Sequence, residues 1–119
     1  MKKILFVDDN ELNRMVMEEM MKIIFPDIEM EFCENAEEVL ELFLDEYSLI
    51  LSDINMPKID GLSLYTTLRN EKNYSKPIIA VTALAVSGDK ERMLMHGFND
   101  FISKPIDMNE LEKTLQKYI

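Results

Sequence analysis

Short apolar runs alternate with segments of helical period from one end of the chain to the other. Residues 4–7 (Ile-Leu-Phe-Val) are apolar without alternation, the pattern of a strand buried on both faces. Asn10 is placed to cap a helix running to about residue 24, with Leu12, Val16, Met20 and Ile23 near one face and Pro26 ending it. Residues 30–33 read as a second strand. Asn35 then caps a second helix, in which Ala36, Val39, Leu40, Phe43 and Leu44 follow the i, i+3, i+4, i+7, i+8 pattern. Residues 49–51 form a third apolar run, residues 56–61 carry turn chemistry, and residues 62–70 fit a third helix. Pro77 precedes a fourth buried strand over 78–81. A short helix over 87–96 ends at Gly97, a residue suited to a left-handed cap. Residues 100–103 are the fifth strand. The last helix opens with Asp107 and Glu110 at capping-box spacing and buries Leu111, Leu115 and Tyr118.

Five strands and five helices in strict alternation predict an α/β fold: a (βα)5, doubly wound parallel sheet covered by helices on both faces. The 119 residues contain no repeat, low-complexity tract or linker, so one domain over 1–119 is expected. Sheets of this kind bind ligands outside the carboxyl ends of their strands, and the residues just after each strand are therefore the informative ones.

Strand one ends in Asp8-Asp9, strand three in Asp53 and Asn55, strand four in Thr82, and strand five in Lys104-Pro105. Taken singly, each is an ordinary turn, cap or strand-end residue. What points to chemistry is that four strands deliver complementary groups to one edge. Three carboxylates meeting there repel and raise one another's pKa unless a cation sits among them. Oxygen ligands without His or Cys suit a hard ion, and Mg²⁺ is the expected one, with Mn²⁺ as an alternative. A metal, the Lys104 ammonium and the Thr82 hydroxyl around one carboxylate make a pocket for a phosphoryl group, with Asp53 as the nucleophile.

Composition narrows the partners. A chain that is 47% hydrophobic and 30% charged is not a disordered one. Its net charge of −10 argues against direct nucleic-acid binding and against anionic membrane surfaces. Cys33 is the single cysteine, which excludes an internal disulfide, and its apolar-alternating setting makes it a small buried hydrophobe. The apolar run after Met1-Lys2-Lys3 is too short for a signal peptide, no later run is long enough to span a bilayer, and a cytoplasmic protein is expected. The chain is either a stand-alone protein or a domain cut from something longer, and Met1 just before strand one is compatible with a natural start. His96, before Gly97, is expected to interact with the end of its own helix, and the acidic run Glu34, Glu37, Glu38 and Glu41 to be a solvated face.

Val7-Asp8-Asp9-Asn10, Asp53-Ile54-Asn55-Met56-Pro57 with Asp60-Gly61, Val81-Thr82-Ala83 and Lys104-Pro105, in this order and spacing, resemble the receiver domains of two-component signalling, the CheY-like superfamily. The resemblance covers essentially the whole chain and implies the flavodoxin-like strand order 2-1-3-4-5. It makes Asp53 the phosphoacceptor. Asp9 becomes a direct Mg²⁺ ligand, Asp8 a ligand mostly through water, and the backbone carbonyl of Asn55 a further ligand. It pairs Lys104 with the phosphoryl group and places a cis peptide before Pro105. Thr82 moves to hydrogen-bond the phosphoryl group while the ring of Phe101, where relatives often carry Tyr, swings in behind it. Asn55 and Leu84 flank the acceptor. The stretch from Asp9 to Arg14 and that from Gly88-Asp89-Lys90 through Phe101 to Ile106 resemble receivers of hybrid histidine kinases and phosphorelays. The implied partners are a histidine kinase or a histidine phosphotransfer protein. A homodimer contact or downstream protein is implied on the face of the fourth helix, fifth strand and fifth helix, with Met93, Leu94, Met95, Lys104 and Tyr118 as candidates. The protein is then a switch rather than a conventional enzyme, catalysing only its own Mg²⁺-dependent phosphoryl transfer and autodephosphorylation. A metal-dependent phosphatase of the haloacid dehalogenase type is the enzymatic rival, but it wants a second Asp where this chain has Asn55. A docking module that works without phosphorylation is the other rival.

Overall fold

The computed structural model describes residues 2–83 and 89–119, Asp89 by its backbone alone. In chain order the elements are β1 (Lys3–Val7), α1 (Glu11–Ile24), β2 (Glu29–Cys33), α2 (Ala36–Leu40), a 3₁₀ turn (Leu44–Glu46), β3 (Leu49–Asp53), α3 (Gly61–Asn70), β4 (Ile78–Thr82), α4 (Asp89–His96), β5 (Asp100–Ser103) and α5 (Met108–Gln116). All strand pairs are parallel and the sheet order is β2-β1-β3-β4-β5, as expected.

Every residue of β3 and β4 is buried, which is why these runs do not alternate in polarity. Leu5, Val7, Ile50, Ile78 and Ala80 pack on one side of the sheet with Val39, Leu64, Leu68 and Met93 of α2, α3 and α4. Ile4, Phe6, Leu51, Ile79, Val81 and Ile102 pack on the other with Met17, Met21, Leu111 and Leu115 of α1 and α5. The predicted caps form. Asn10, Asn35 and Asp107 accept the backbone N–H groups of Asn13, Glu38 and Glu110 at 3.0, 2.9 and 2.9 Å. Asp60 caps α3 in the same way through Ser63 N–H at 2.8 Å. Gly97 has φ +128°, a backbone conformation that favours glycine, and a Cβ there would meet the Tyr65 ring.

Two expectations are corrected, and the stripe expected on one face of α1 is divided. Leu12, Val16 and Ile23 are exposed, Leu12 and Ile23 at 66% and 67%, while Met20 packs against the core beside Met17 and Met21, which carry the contact with the sheet. The second helix is shorter than its periodicity predicts. It ends at Leu40, where the Glu41 N–H turns back to Glu38 and Val39 carbonyls; Leu44 reaches the core from the 3₁₀ turn, and Phe43 is left 72% exposed. His96 lies in the last turn of α4, but its ring reaches α3, with Nε2 3.3 Å from the Leu62 carbonyl and the ring against Tyr65 and Phe98. Met1, Leu84 and the expected helix start at Ser87 and Gly88 lie outside the described residues. Among those described, no helix is long and apolar enough to cross a membrane.

Candidate functional site

The carboxyl ends of β1, β3, β4 and β5 lie side by side, because the parallel register pairs Val7 with Ser52, Asp53 with Val81, and Thr82 with Ser103. Asp8 leaves β1 fully buried and Asp53 ends β3 almost so, while Asp9 is exposed at the rim. Carboxylate oxygens of Asp8, Asp9 and Asp53 lie within 4.8 Å of one another. Lys104, just past β5, donates its backbone N–H to the Thr82 carbonyl at 2.9 Å and is followed by a cis bond to Pro105. Its ammonium is 2.7 Å from Asp8 Oδ2 and 3.2 Å from Asp53 Oδ1, with the side chain 14% exposed.

Electrostatics follow from this burial. Desolvation, with the Asp8 charge added, pushes the Asp53 carboxyl up to about 6, against the opposing pull of Lys104. Burial alone would lower the Lys104 pKa, but the Asp8 hydrogen bond and the charges of Asp53 and Asp8 more than offset it and hold it raised. One ammonium does not neutralise three carboxylates. The donor set is all oxygen and suits a hard divalent cation in the remaining place.

The expected residues are therefore distributed as follows. Asp8, Asp9, Asp53 and Lys104 come together at one point. Thr82 is buried at the end of β4, one strand from Asp53, and Asn55 is exposed on the loop that follows it. Phe101 is half-buried, paired in register with Ala80 and packed against the cluster containing Met93 and Phe98. Met93 is core, while Leu94 and Met95 are 39% and 87% exposed. Cys33 is buried, and burial pushes its thiol up to about 12, in keeping with an inert residue.

Two features of the site went unread in the sequence. Gly61 opens α3 directly behind the acceptor, donating its N–H to the Ile54 carbonyl at 2.8 Å; a Cβ there would strike the Asp53 carbonyl oxygen and lie 2.7 Å from Ile54 Cα. Asp60-Gly61 stands in the sequence as turn chemistry and as part of the receiver resemblance, and neither reading carried this close backbone approach. Asn13 and Arg14 of α1 reach back to Asp8, a contact for which the sequence offered only their proximity to the aspartate pair.

Comparison with known proteins gives the chain a family. The model of the response regulator receiver domain family matches residues 4–116. Hybrid signal transduction histidine kinase G of Dictyostelium discoideum is 34% identical over 119 residues, 98% of this chain but 4% of the kinase. The polar-differentiation response regulator DivK of Brucella ovis is 32% identical, with 99% of this chain and 96% of DivK covered. The receiver domain of the sensor histidine kinase PA1611 of Pseudomonas aeruginosa, solved with a magnesium ion coordinated in its active-site cleft, superimposes with a TM-score of 0.83 at 33% identity, covering 98% of this chain and 96% of that one. The chain thus spans a small part of some relatives and nearly the whole of another.

Proposed function

Because the chain belongs to the response regulator receiver family, we propose that it is a phosphorylation-dependent switch that accepts a phosphoryl group on Asp53 from a phosphohistidine. The observation that carries this reading is the convergence of Asp8, Asp9 and Asp53 around the Lys104 ammonium in a mostly buried site. An Asp53 carboxylate oxygen attacks phosphorus as the P–N bond breaks, and the imidazole nitrogen leaves with the electron pair and takes up a proton. A Mg²⁺ or Mn²⁺ ion held by Asp8, Asp9, Asp53 and the Asn55 backbone carbonyl supplies positive charge to the phosphoryl oxygens. Lys104 supplies a second, fixed positive charge, turning from Asp8 and Asp53 to the incoming group.

The phosphoryl group adds roughly −1.5 to −2 charge and three strong acceptors. The Thr82 hydroxyl donates to one of them, Phe101 repacks behind it, and the α4–β5–α5 face changes its partner surface by a shift between two packings. The donor is a histidine kinase or histidine phosphotransfer protein in the cytoplasm. Its helices cover the outward apolar face of α1, where Leu12, Met15, Val16 and Ile23 are exposed beside Met108 of α5. That face begins close to Asp9, so a histidine brought to Asp53 carries its own helix over it.

Intact mass after incubation with acetyl phosphate, with and without Mg²⁺, tests the reading. The expected result is a Mg²⁺-dependent gain of one phosphoryl group, absent in Asp53→Asn. No gain from acetyl phosphate or from any phosphorylated histidine donor would leave a docking module, and turnover of an external phosphate ester would point to a phosphatase.

A further inference from the structure

Asp8 is held at every polar atom. Its N–H donates to the Cys33 carbonyl at 3.1 Å and its carbonyl accepts Arg14 Nη1 at 2.8 Å. Oδ1 accepts the Asn10 N–H at 2.9 Å, while Oδ2 accepts Asn13 Nδ2 at 3.3 Å and Lys104 Nζ at 2.7 Å. Lys104 is the one donor in this set that the proposed chemistry calls away. The others stay, and two of them are side chains of α1 to which neither the family match nor the resemblance assigns a role.

We propose that Arg14 and Asn13 are positioning residues for the cation site, fixing the Asp8 main chain and carboxylate so that the buried aspartate keeps its place when Lys104 turns to the phosphoryl group. Arg14 is the stronger of the two. Its side chain is only 16% exposed, and its second nitrogen, Nη2, lies 3.4 Å from Glu34 Oε1. The guanidinium therefore spans from the end of β1 to the residue after β2, a reach that its planar fork allows and a single ammonium does not. Asn13 acts on the carboxylate itself, at the oxygen shared with Lys104. Groups that orient a metal ligand without touching the metal commonly set affinity by about 10–100-fold.

This inference rests on the cation reading above, and the test separates the two. Mg²⁺ is titrated into ¹⁵N-labelled wild type, Arg14→Ala, Arg14→Lys, Asn13→Ala and Glu34→Gln, with phosphorylation by acetyl phosphate followed at limiting and saturating Mg²⁺. Arg14→Ala is expected to raise the Kd for Mg²⁺ by about tenfold. It should also shift the Asn10 amide in the metal-free protein and slow phosphorylation at limiting Mg²⁺, with the rate restored at saturation. Arg14→Lys should recover part of the affinity, and Asn13→Ala should lose less than Arg14→Ala does. A folded Arg14→Ala protein with the wild-type Kd, or a deficit that persists at saturating Mg²⁺, overturns the positioning role. Should Arg14→Ala not fold, unchanged Kd values in both Asn13→Ala and Glu34→Gln overturn it. Wild type that binds no Mg²⁺ overturns the cation reading and this inference with it.

Discussion

Two clusters at opposite ends of the sheet share one charge stoichiometry and differ in water. At the amino end, Lys3 lies 3.7, 2.7 and 3.3 Å from Glu29, Glu31 and Glu46. At the carboxyl end, Lys104 sits with Asp8, Asp9 and Asp53. Each is one ammonium to three carboxylates. The glutamate side chains are 55%, 39% and 53% exposed, so solvent carries their excess charge, and the Lys3 and Tyr47 hydrogen bonds lower the Glu31 pKa despite some burial. Asp8 and Asp53 are 0% and 5% exposed, and there desolvation, with the Asp8 charge added, drives the Asp53 carboxyl up to about 6. Counting charges cannot tell these two clusters apart; burial can.

Removing each lysine should break the symmetry most sharply. Lys104→Ala leaves two buried carboxylates without their protein cation and takes away the fixed charge at the transferring group. Phosphoryl incorporation from acetyl phosphate, timed by intact mass, should slow by about 10²-fold. Lys3→Ala should leave that rate within about twofold, because its partners face water. Equal losses in the two variants would mean that the lysines act through folding alone.

The pH dependence of stability sharpens the contrast next. With a carboxyl near 6 in the folded protein and 3.8 unfolded, Asp53 stays protonated in the native state while the unfolded chain ionises. Stability therefore falls as pH rises between these values and levels off above the folded one. In the absence of Mg²⁺, Asp53→Asn should be more stable than wild type by roughly 2 kcal/mol at pH 8. The gap should close as pH falls to about 4 and shrink when millimolar Mg²⁺ is added. Urea melts at three pH values measure it, and an Asp53→Asn protein less stable than wild type at pH 8 contradicts the buried-charge account.

How far the sequence could be read follows the same line between local and distant causes. Strand ends are local, so Asp8, Asp9, Asp53, Thr82 and Lys104 were legible as one edge once the strands were placed. The α1 surface was not. Eight of the fourteen residues in ELNRMVMEEMMKII are apolar, enough for two stripes, and periodicity cannot say which one the sheet takes. Phe43 was misplaced because the apolar spacing continues past Leu40, where the backbone leaves the helix. The Lys104–Asp8 contact joins residues 96 apart and the Arg14–Glu34 contact joins residues 20 apart, and both depend on β1 lying between β2 and β3.

The smallest expected effect is also the one with the opposite sign. Glu31 accepts from Lys3 and from the Tyr47 hydroxyl, so its folded pKa is lowered. A depressed carboxylate contributes stability above its unfolded pKa and loses it as pH falls through the folded value. Glu31→Gln should therefore cost about 0.5 kcal/mol at pH 7, after discounting for its exposure, and less in acid or in ~1 M salt. Asp53→Asn moves the other way along the same pH axis, gaining on wild type as pH rises. Mg²⁺ affinity and phosphorylation rate should stay within about twofold of wild type in Glu31→Gln, since the sheet separates this cluster from the carboxyl edge. A tenfold change in either would mean that the two clusters are coupled through the sheet, and burial at the carboxyl edge would no longer suffice to explain how they differ.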